Sequence, residues 1–276
     1  MASANQKRIF VTGGASGFGR ALAERWARAG YRVCIGDIHE ERLAETLASL
    51  RGLGATAHAL RCDVTKEADL EAAAEWLESS WGGVDIVVNN AGVAIGGSIT
   101  EISLDDWRWI VDINLLGVVR GCKIFTPMFQ KQGHGHFVNV SSMAGLIHPP
   151  MMSAYNATKA AVVALSETLS VELARDKIAV SVVCPSFFRT NLTETMRAGS
   201  ADIAAVTHKL VNKAKRGADE IAELTFKGVE RGDFHILTHA DGRAAWMLKR
   251  LAPFSIYAKA IKKNTARMMG KPPTKS

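Results

Sequence analysis

The segment Arg8-Ile9-Phe10-Val11-Thr12-Gly13-Gly14-Ala15-Ser16-Gly17-Phe18-Gly19-Arg20-Ala21-Leu22-Ala23-Glu24 reads as a short apolar strand, a glycine-rich turn and the start of a helix, in that order. Glycines at 13, 17 and 19 allow the backbone to turn sharply and a ligand to approach it closely. The first turn of the helix offers unpaired N–H groups and the positive end of the helix dipole to an anion. A glycine-rich turn alone carries little weight; the strand before it and the helix after it make it a cradle for the pyrophosphate of a dinucleotide. Gly13, Ser16, Gly17, Phe18 and Gly19 are the candidate contacts.

Outward from this segment, apolar runs of strand length alternate with stretches of helical periodicity. Strands are expected at 8–12, 32–37, 55–61, 84–89, 135–141, 179–184 and 234–237, and helices at about 17–29, 39–50, 66–80, 104–131, 153–175 and 217–230. Val87-Val88 and Val180-Ser181-Val182-Val183 carry the β-branched side chains that buried strands favour. The alternation implies repeated βαβ units, hence an α/β fold: a doubly wound, mainly seven-stranded parallel sheet with helices on both faces. A length of 276 residues, 47% of them hydrophobic, suits one large domain over 1–240 better than two small ones. Segments 93–103, 143–152 and 186–215 interrupt the pattern. Each follows a strand at the sheet edge where such folds bind ligands, so all three are expected to wall a substrate pocket.

Asp37 closes the second expected strand, about twenty residues after the glycine turn. Its carboxylate is suited to accept hydrogen bonds from both hydroxyls of an adenosine ribose and to repel a 2′-phosphate, which needs an arginine nearby. Neither Ser16 nor Ile38 supplies a cation beside it. The expected cofactor is therefore NAD rather than NADP. Aspartate also caps helices, here the one at 39–50.

A second signal is Ser153-Ala154-Tyr155-Asn156-Ala157-Thr158-Lys159, with Tyr155 thirteen residues beyond Ser142. Positions i and i+4 share a helix face, which brings the Lys159 ammonium beside the Tyr155 phenol. A free tyrosine titrates near pH ~10, and bringing it to neutrality requires roughly three units, about 4 kcal/mol. One close cation supplies on the order of 1–3 units. An oxidised nicotinamide ring would supply a further positive charge.

With Thr12-Gly-x-x-x-Gly-x-Gly19, Asn89-Asn90-Ala91-Gly92, Ser142, Tyr155-x-x-x-Lys159 and Pro185 in this order, the chain resembles the short-chain dehydrogenase/reductase family over about residues 7–238. The resemblance implies a Rossmann-like fold and a catalytic set of Asn114, Ser142, Tyr155 and Lys159. Tyr155 would be the acid/base, Ser142 would orient and polarise the substrate oxygen, and Lys159 would hold the nicotinamide ribose and depress the phenol pKa. Asn114 would hold a water in a proton relay to the lysine. For the cofactor, the resemblance implies Asp63 and Val64 at the adenine, Asn90, Ala91 and Gly92 at the ribose and sheet, and Phe188 and Thr190 over the nicotinamide. Tyr155, Lys159 and Pro185 also belong to the cofactor set. The family usually has Pro-Gly where this chain has Pro185-Ser186, so the backbone there is less permissive. Each residue also has a plain role open to it: a serine after a strand caps a turn, and an asparagine in a helix bonds backbone.

The loop Met143-Ala144-Gly145-Leu146-Ile147-His148-Pro149-Pro150-Met151-Met152 contains no formal charge and several flexible thioethers. Such a lining suits an apolar ligand of adaptable shape, and Leu192, Met196, Ile203, Val206 and Leu210 are placed to close over it as a lid. The expected substrate is a lipophilic secondary alcohol or ketone: steroid-like, acyl-chain or terpenoid. Ordinary packing or subunit contact is the other use of these side chains. His148 is expected to be a loop residue rather than a catalyst.

Cysteines at 34, 62, 122 and 184 form no Cys-x-x-Cys pair, so neither a zinc site nor a disulfide framework is expected; with neither the apolar stretch of a secretory signal nor a membrane-length apolar run, a cytoplasmic setting is the expected default. The net charge of +7 is unevenly placed: residues 243–276 carry nine Lys and Arg and no acid, while the remaining 242 carry 25 basic and 27 acidic side chains. In this extension, Ala244, Met247, Leu248 and Leu251 follow helical spacing behind an Asp241 cap, and 255–267 repeats the pattern before Gly270-Lys271-Pro272-Pro273 frays out. Packing on the body or a second subunit, peripheral contact with anionic lipid and nucleic-acid contact are ranked in that order, with no nucleic acid expected. The resemblance implies a homodimer or homotetramer paired through 104–131 and 153–175. The alternatives to an NAD-dependent alcohol dehydrogenase or ketone reductase are a nucleotide-sensing protein without turnover and a sugar-nucleotide epimerase or dehydratase.

Overall fold

Buried β-branched and aromatic runs form the centre of the molecule. A computed structural model describes residues 6–194 and 196–269. The chain opens with β1 (Arg8–Thr12), α1 (Gly17–Arg28), β2 (Arg32–Asp37), α2 (Glu40–Gly52), β3 (Ala57–Arg61), α3 (Glu67–Trp81) and β4 (Ile86–Asn89). It continues through β5 (Ile95–Gly96), α4 (Leu104–Val111), α5 (Gly117–Gln132), β6 (Gly135–Val140), α6 (Ala144–Ile147), α7 (Ser153–Glu172) and β7 (Ile178–Val183). Last come β8 (Arg197–Ala198), α8 (Ala201–Asn212), α9 (Ala218–Glu230), β9 (His235–Ile236), α10 (Ala240–Leu251) and α11 (Phe254–Met269).

Seven strands form one parallel sheet in the order β3-β2-β1-β4-β6-β7-β9. The chain steps outward from β1 to β3 and then crosses to the other side of β1, which leaves a crevice beyond the ends of β1 and β4. Phe10 is opposite Cys34 on one side and Val87 on the other, which fixes the register of the central strands. One face buries Leu22, Trp26, Ile35, Val138 and Ile221 under α1 and α9. The other buries Phe10, Leu70, Leu77, Phe125, Phe129 and Val162 under α3, α5 and α7. All four cysteines are free and buried, Cys34 and Cys122 among them in the second layer.

The expected helix at 104–131 is two helices separated by one π-helical turn, Asp112–Leu116. A helical hydrophobic period does not distinguish i+4 from i+5 bonding over a single turn. The three interrupting segments are partly regular: β5 pairs with β8, α6 lies in 143–152, and α8 occupies 201–212. Two-residue strands carry no detectable alternation. Asp241 is not the cap of the extension. His239 takes that position and Asp241 sits in the first turn of α10, where Oδ1 accepts the Gly242 N–H at 2.9 Å. The expected fraying at Gly270-Lys271-Pro272-Pro273 lies outside the described residues.

Candidate functional site

At the crevice, the glycine turn takes the backbone where a side chain would not fit. Gly13 has φ +63° and Gly17 φ +50°, and a Cβ on Gly19 would lie 2.0 Å from the Gly13 carbonyl oxygen. The turn is stitched to the end of β4: the Asn90 amide donates to the carbonyls of Thr12 at 2.9 Å and Gly13 at 3.1 Å. The Thr12 hydroxyl accepts the N–H groups of Asn90 and Ala91 at 3.0 and 3.1 Å. Thr12, which opens the glycine motif without a role assigned to it there, is thus a structural partner of the site.

A cleft of about 220 Å³ runs along this turn, lined by Gly13, Ser16, Gly17, Phe18, Gly19, Asp37, Asp63, Val64, Asn90, Ala91, Gly92 and Thr190. Asp37 is buried at its edge and held from two sides, Oδ2 accepting the Ala15 N–H at 3.0 Å and Oδ1 the His39 N–H at 3.1 Å. It does not cap α2, whose cap position is His39. Asp63 accepts the N–H and hydroxyl of Thr65 at 2.9 and 2.7 Å, which turns the chain out of β3. Arg42, on the first turn of α2, also lines the cleft and is paired with Glu194 at 2.9 Å. Residues 16 and 38 lack a cation, but the cation stands five residues beyond Asp37, one helical turn into α2, where adjacency in sequence does not find it.

The second compartment opens from the first. A mainly apolar cavity of about 150 Å³ is bounded by Phe18, Ser142, Met143, Ala144, Ile147, Pro149, Met152, Tyr155, Lys159, Pro185, Phe188, Leu192, Thr207 and Val211, among others. Tyr155 and Lys159 reach it from α7 and Ser142 from the end of β6. The Ser142 hydroxyl donates to the Pro185 carbonyl at 3.3 Å and accepts the Ala144 N–H at 3.1 Å, and it lines the same cavity as the Tyr155 phenol. The Lys159 ammonium donates to the Val140 carbonyl at 2.9 Å and lies 5.8 Å from the centre of the Tyr155 ring. Ser141, not singled out by the sequence, holds the Lys159 carbonyl at 2.7 Å. Gly92 faces Lys159, and a Cβ there would approach its Nζ to 3.4 Å.

Burial governs the titration of this pair. It pushes the phenol of Tyr155 up to about 12, against the lowering effect of the Ser142 hydroxyl, and pushes Lys159 down to about 8. The lowering of the phenol expected from Lys159 is therefore not found in the protein alone. Helical spacing gives the proximity of the cation but not the loss of solvent, which here is the larger effect.

Asn114 lies in the π-turn, fully buried, with both ends of its amide joined to Val93: Oδ1 accepts the N–H at 2.8 Å and Nδ2 donates to the carbonyl at 2.9 Å. It bonds backbone, though not that of its own helix, and so fixes the wall between the two compartments. At Pro185-Ser186 the backbone needs no left-handed residue, and the Ser186 N–H donates to His239 Nδ1 at 3.2 Å. Phe188 packs edge-on against Phe18 with ring centres 5.3 Å apart, closing the junction of the compartments. Of the expected lid, Leu192 lines the cavity, Ile203 is buried and Met196 packs beside Ile95 and Tyr155. Thr207 and Val211 also line it and were not singled out, although the Ser200 cap and the apolar spacing mark the helix that carries them. His148 faces away from the reacting pair, toward Lys249.

The sequence pattern of the family described as short chain dehydrogenase matches residues 7–201. A "CLA biosynthesis dehydrogenase/reductase" of Lactiplantibacillus plantarum is 36% identical over 253 residues, covering 85% of this chain and 88% of its own. The chain belongs to the short-chain dehydrogenase/reductase family. This short-chain dehydrogenase/reductase superimposes on a Burkholderia phymatum member solved in complex with NAD, with a TM-score of 0.84, 32% identity and coverage of 100% and 99% of the two chains. It also matches a Sphingobium yanoikuyae short-chain dehydrogenase solved with NADPH, with a TM-score of 0.73, 26% identity and 98% coverage of each. It is an oxidoreductase with a Rossmann-like fold, of a family whose members use either nicotinamide dinucleotide. Its glycine cradle, pinned carboxylate and continuous cleft fit such a cofactor. Among the described residues no helix is long and apolar enough to cross a membrane, and no cluster of side chains is arranged to hold a metal ion.

Proposed function

We propose that this chain interconverts a hydrophobic secondary alcohol and its ketone with NAD(H). The observation that carries the proposal is the meeting of Ser142, Tyr155 and Lys159 at the floor of an apolar cavity that opens onto the glycine cradle. When bound, the nicotinamide supplies or accepts the hydride. Tyr155 holds the proton that moves to or from the substrate oxygen, and the Ser142 hydroxyl orients that oxygen against it. Lys159 keeps a positive charge beneath the pair with one N–H on Val140 and its remaining donors available to a ribose. Asn114 keeps Val93 in place so that the substrate and cofactor compartments meet at a fixed angle.

Asp37 supports NAD over NADP, because a carboxylate held by two backbone N–H groups cannot turn away from a 2′-phosphate. The cavity lining of Met143, Ala144, Ile147, Pro149 and Met152 supports a substrate that is apolar around its carbinol carbon. Exposed Leu104, Leu116 and Val171 on α4, the π-turn and α7 support pairing of two copies through that face.

The test is a panel of hydrophobic secondary alcohols assayed with NAD and with NADP, read as absorbance of the reduced cofactor, with Asp37→Ala as control. Oxidation with NAD, and relative gain of NADP use in the control, is the expected result. Preference of the unmodified protein for NADP overturns the cofactor assignment, and turnover of small polar alcohols alone overturns the substrate class.

A further inference from the structure

The basic extension packs on the catalytic body through Trp246, whose ring lies 5.0 Å from that of His235 of β9, and through a second contact at the short helix α6. A helix of four residues leaves its last carbonyls without partners of its own. Here three successive carbonyls are each met by a side chain. Gly145 receives His148 Nε2 at 3.0 Å, Leu146 receives Lys249 Nζ at 2.6 Å, and Ile147 receives the Tyr257 hydroxyl. Lys249 also donates to His148 Nδ1 at 2.7 Å, which fixes the imidazole as the neutral tautomer with its proton on Nε2. The Tyr257 ring lies 6.0 Å from the Lys249 nitrogen and is buried. Beneath this cap, Gly242 of α10 lies against Met143, where a Cβ would come within 3.0 Å of the side chain.

The backbone that follows α6 needs such support. His148 and Met151 have φ +47° and +63°, two of the three non-glycine residues in the left-handed region among those described. The two stand on either side of Pro149, which lines the substrate cavity, and Ile147 and Met152 adjoin them.

We propose that Lys249 and Tyr257 are positioning residues that set the substrate wall: by closing the carbonyl end of α6 they hold Ile147, Pro149 and Met152 in place and so determine how large an apolar group the cavity accepts. The proposal rests on the alcohol–ketone reading for its catalytic consequence, but not for the clamp itself. Neither residue lines the cavity or touches the reacting atoms, so both act only through the loop.

The experiment has two arms on the full chain, using Lys249→Met, Lys249→Arg and Tyr257→Phe. Amide hydrogen exchange follows the N–H groups of Leu146, Ile147 and His148, which bond back to Met143 and Ala144. Steady-state kinetics compare a short and a long-chain secondary 2-alcohol at saturating NAD. Lys249→Met and Tyr257→Phe are expected to exchange these amides about tenfold faster or more. They are also expected to raise KM for the long alcohol at least fivefold while kcat and the KM for NAD stay within twofold, with Lys249→Arg restoring most of both. Unchanged exchange overturns the clamp, whatever the kinetics. Faster exchange with equal losses on both alcohols, or with no change in either KM, overturns the role in selectivity. If the unmodified protein oxidises none of the alcohols, the proposed reaction falls, the claim on substrate size falls with it, and the exchange arm still decides the clamp.

Discussion

Arg42 and Glu194 form an ion pair of 2.9 Å between α2 and the turn that follows Thr190, at the rim of the nucleotide cleft. Glu194 is also held by the Asn191 amide at 2.6 Å, so the carboxylate is fixed on the cleft side of its turn. The pair engages the guanidinium that lines the cleft five residues beyond Asp37.

Glu194→Gln releases that guanidinium. Both partners are about half exposed, and pairs of this kind are worth about 0.2–1 kcal/mol. The ratio of kcat/KM for NADP to that for NAD is therefore expected to rise by up to about fivefold, measured by initial rates with each cofactor. An unchanged ratio removes Glu194 from any role in cofactor choice.

Tyr155→Phe deletes one oxygen and leaves the ring that packs near Ala94 and Ile95. Loss of a positioned acid/base costs about 10²–10⁴ in kcat. NADH binding, followed by fluorescence titration, is expected to stay within a few-fold of the unmodified protein.

The pH dependence of alcohol oxidation follows from the raised phenol. Burial places its pKa at about 12, so the basic form grows as the medium becomes more alkaline, and the rate of oxidation is expected to climb from pH 6 to about 8, the range in which Lys159, held down at about 8, keeps its charge. The Ser142 hydroxyl lowers that pKa. Ser142→Ala is accordingly expected to lower the rate and to displace the profile to higher pH, as seen in kcat against pH.

Acid sensitivity has a distinct origin in His136, which burial holds down at about 4. The unfolded chain takes up this proton near pH ~6.5, so between the two values only the unfolded state gains it, and stability falls as the pH is lowered. The loss by pH ~4 is on the order of 3 kcal/mol. Thermal melts between pH 7.5 and 5 are expected to show a falling midpoint, with a shallower fall in His136→Asn. Equal slopes in the two proteins would mean that other groups carry the effect.

The parallel sheet was legible in the sequence because its central strands are buried on both faces and read as unbroken apolar runs. Val87-Val88 and the valines of 180–183 carry that signal, and expected strand edges fall within two residues of those observed. Tyr155 and Lys159 were legible because one helix carries both. What escaped notice depends on contacts between distant segments: the Arg42–Glu194 pair, Ser141 under Lys159, and Lys249 on α6 join residues 152, 18 and 103 positions apart. The rise in the Tyr155 pKa escaped for the same reason, since the segments that exclude water come from several parts of the chain.

The sealed thiols of Cys34, Cys62, Cys122 and Cys184 make the protein its own reporter of opening. Burial raises the pKa of every one, so thiolate is scarce at neutral pH and an alkylating reagent finds nothing to attack while the chain is folded. Incorporation of label therefore counts excursions out of the native state. Because the thiols lie on different elements, Cys34 in β2, Cys122 on α5, and Cys62 and Cys184 just beyond β3 and β7, the order in which they react maps which part of the molecule gives way first.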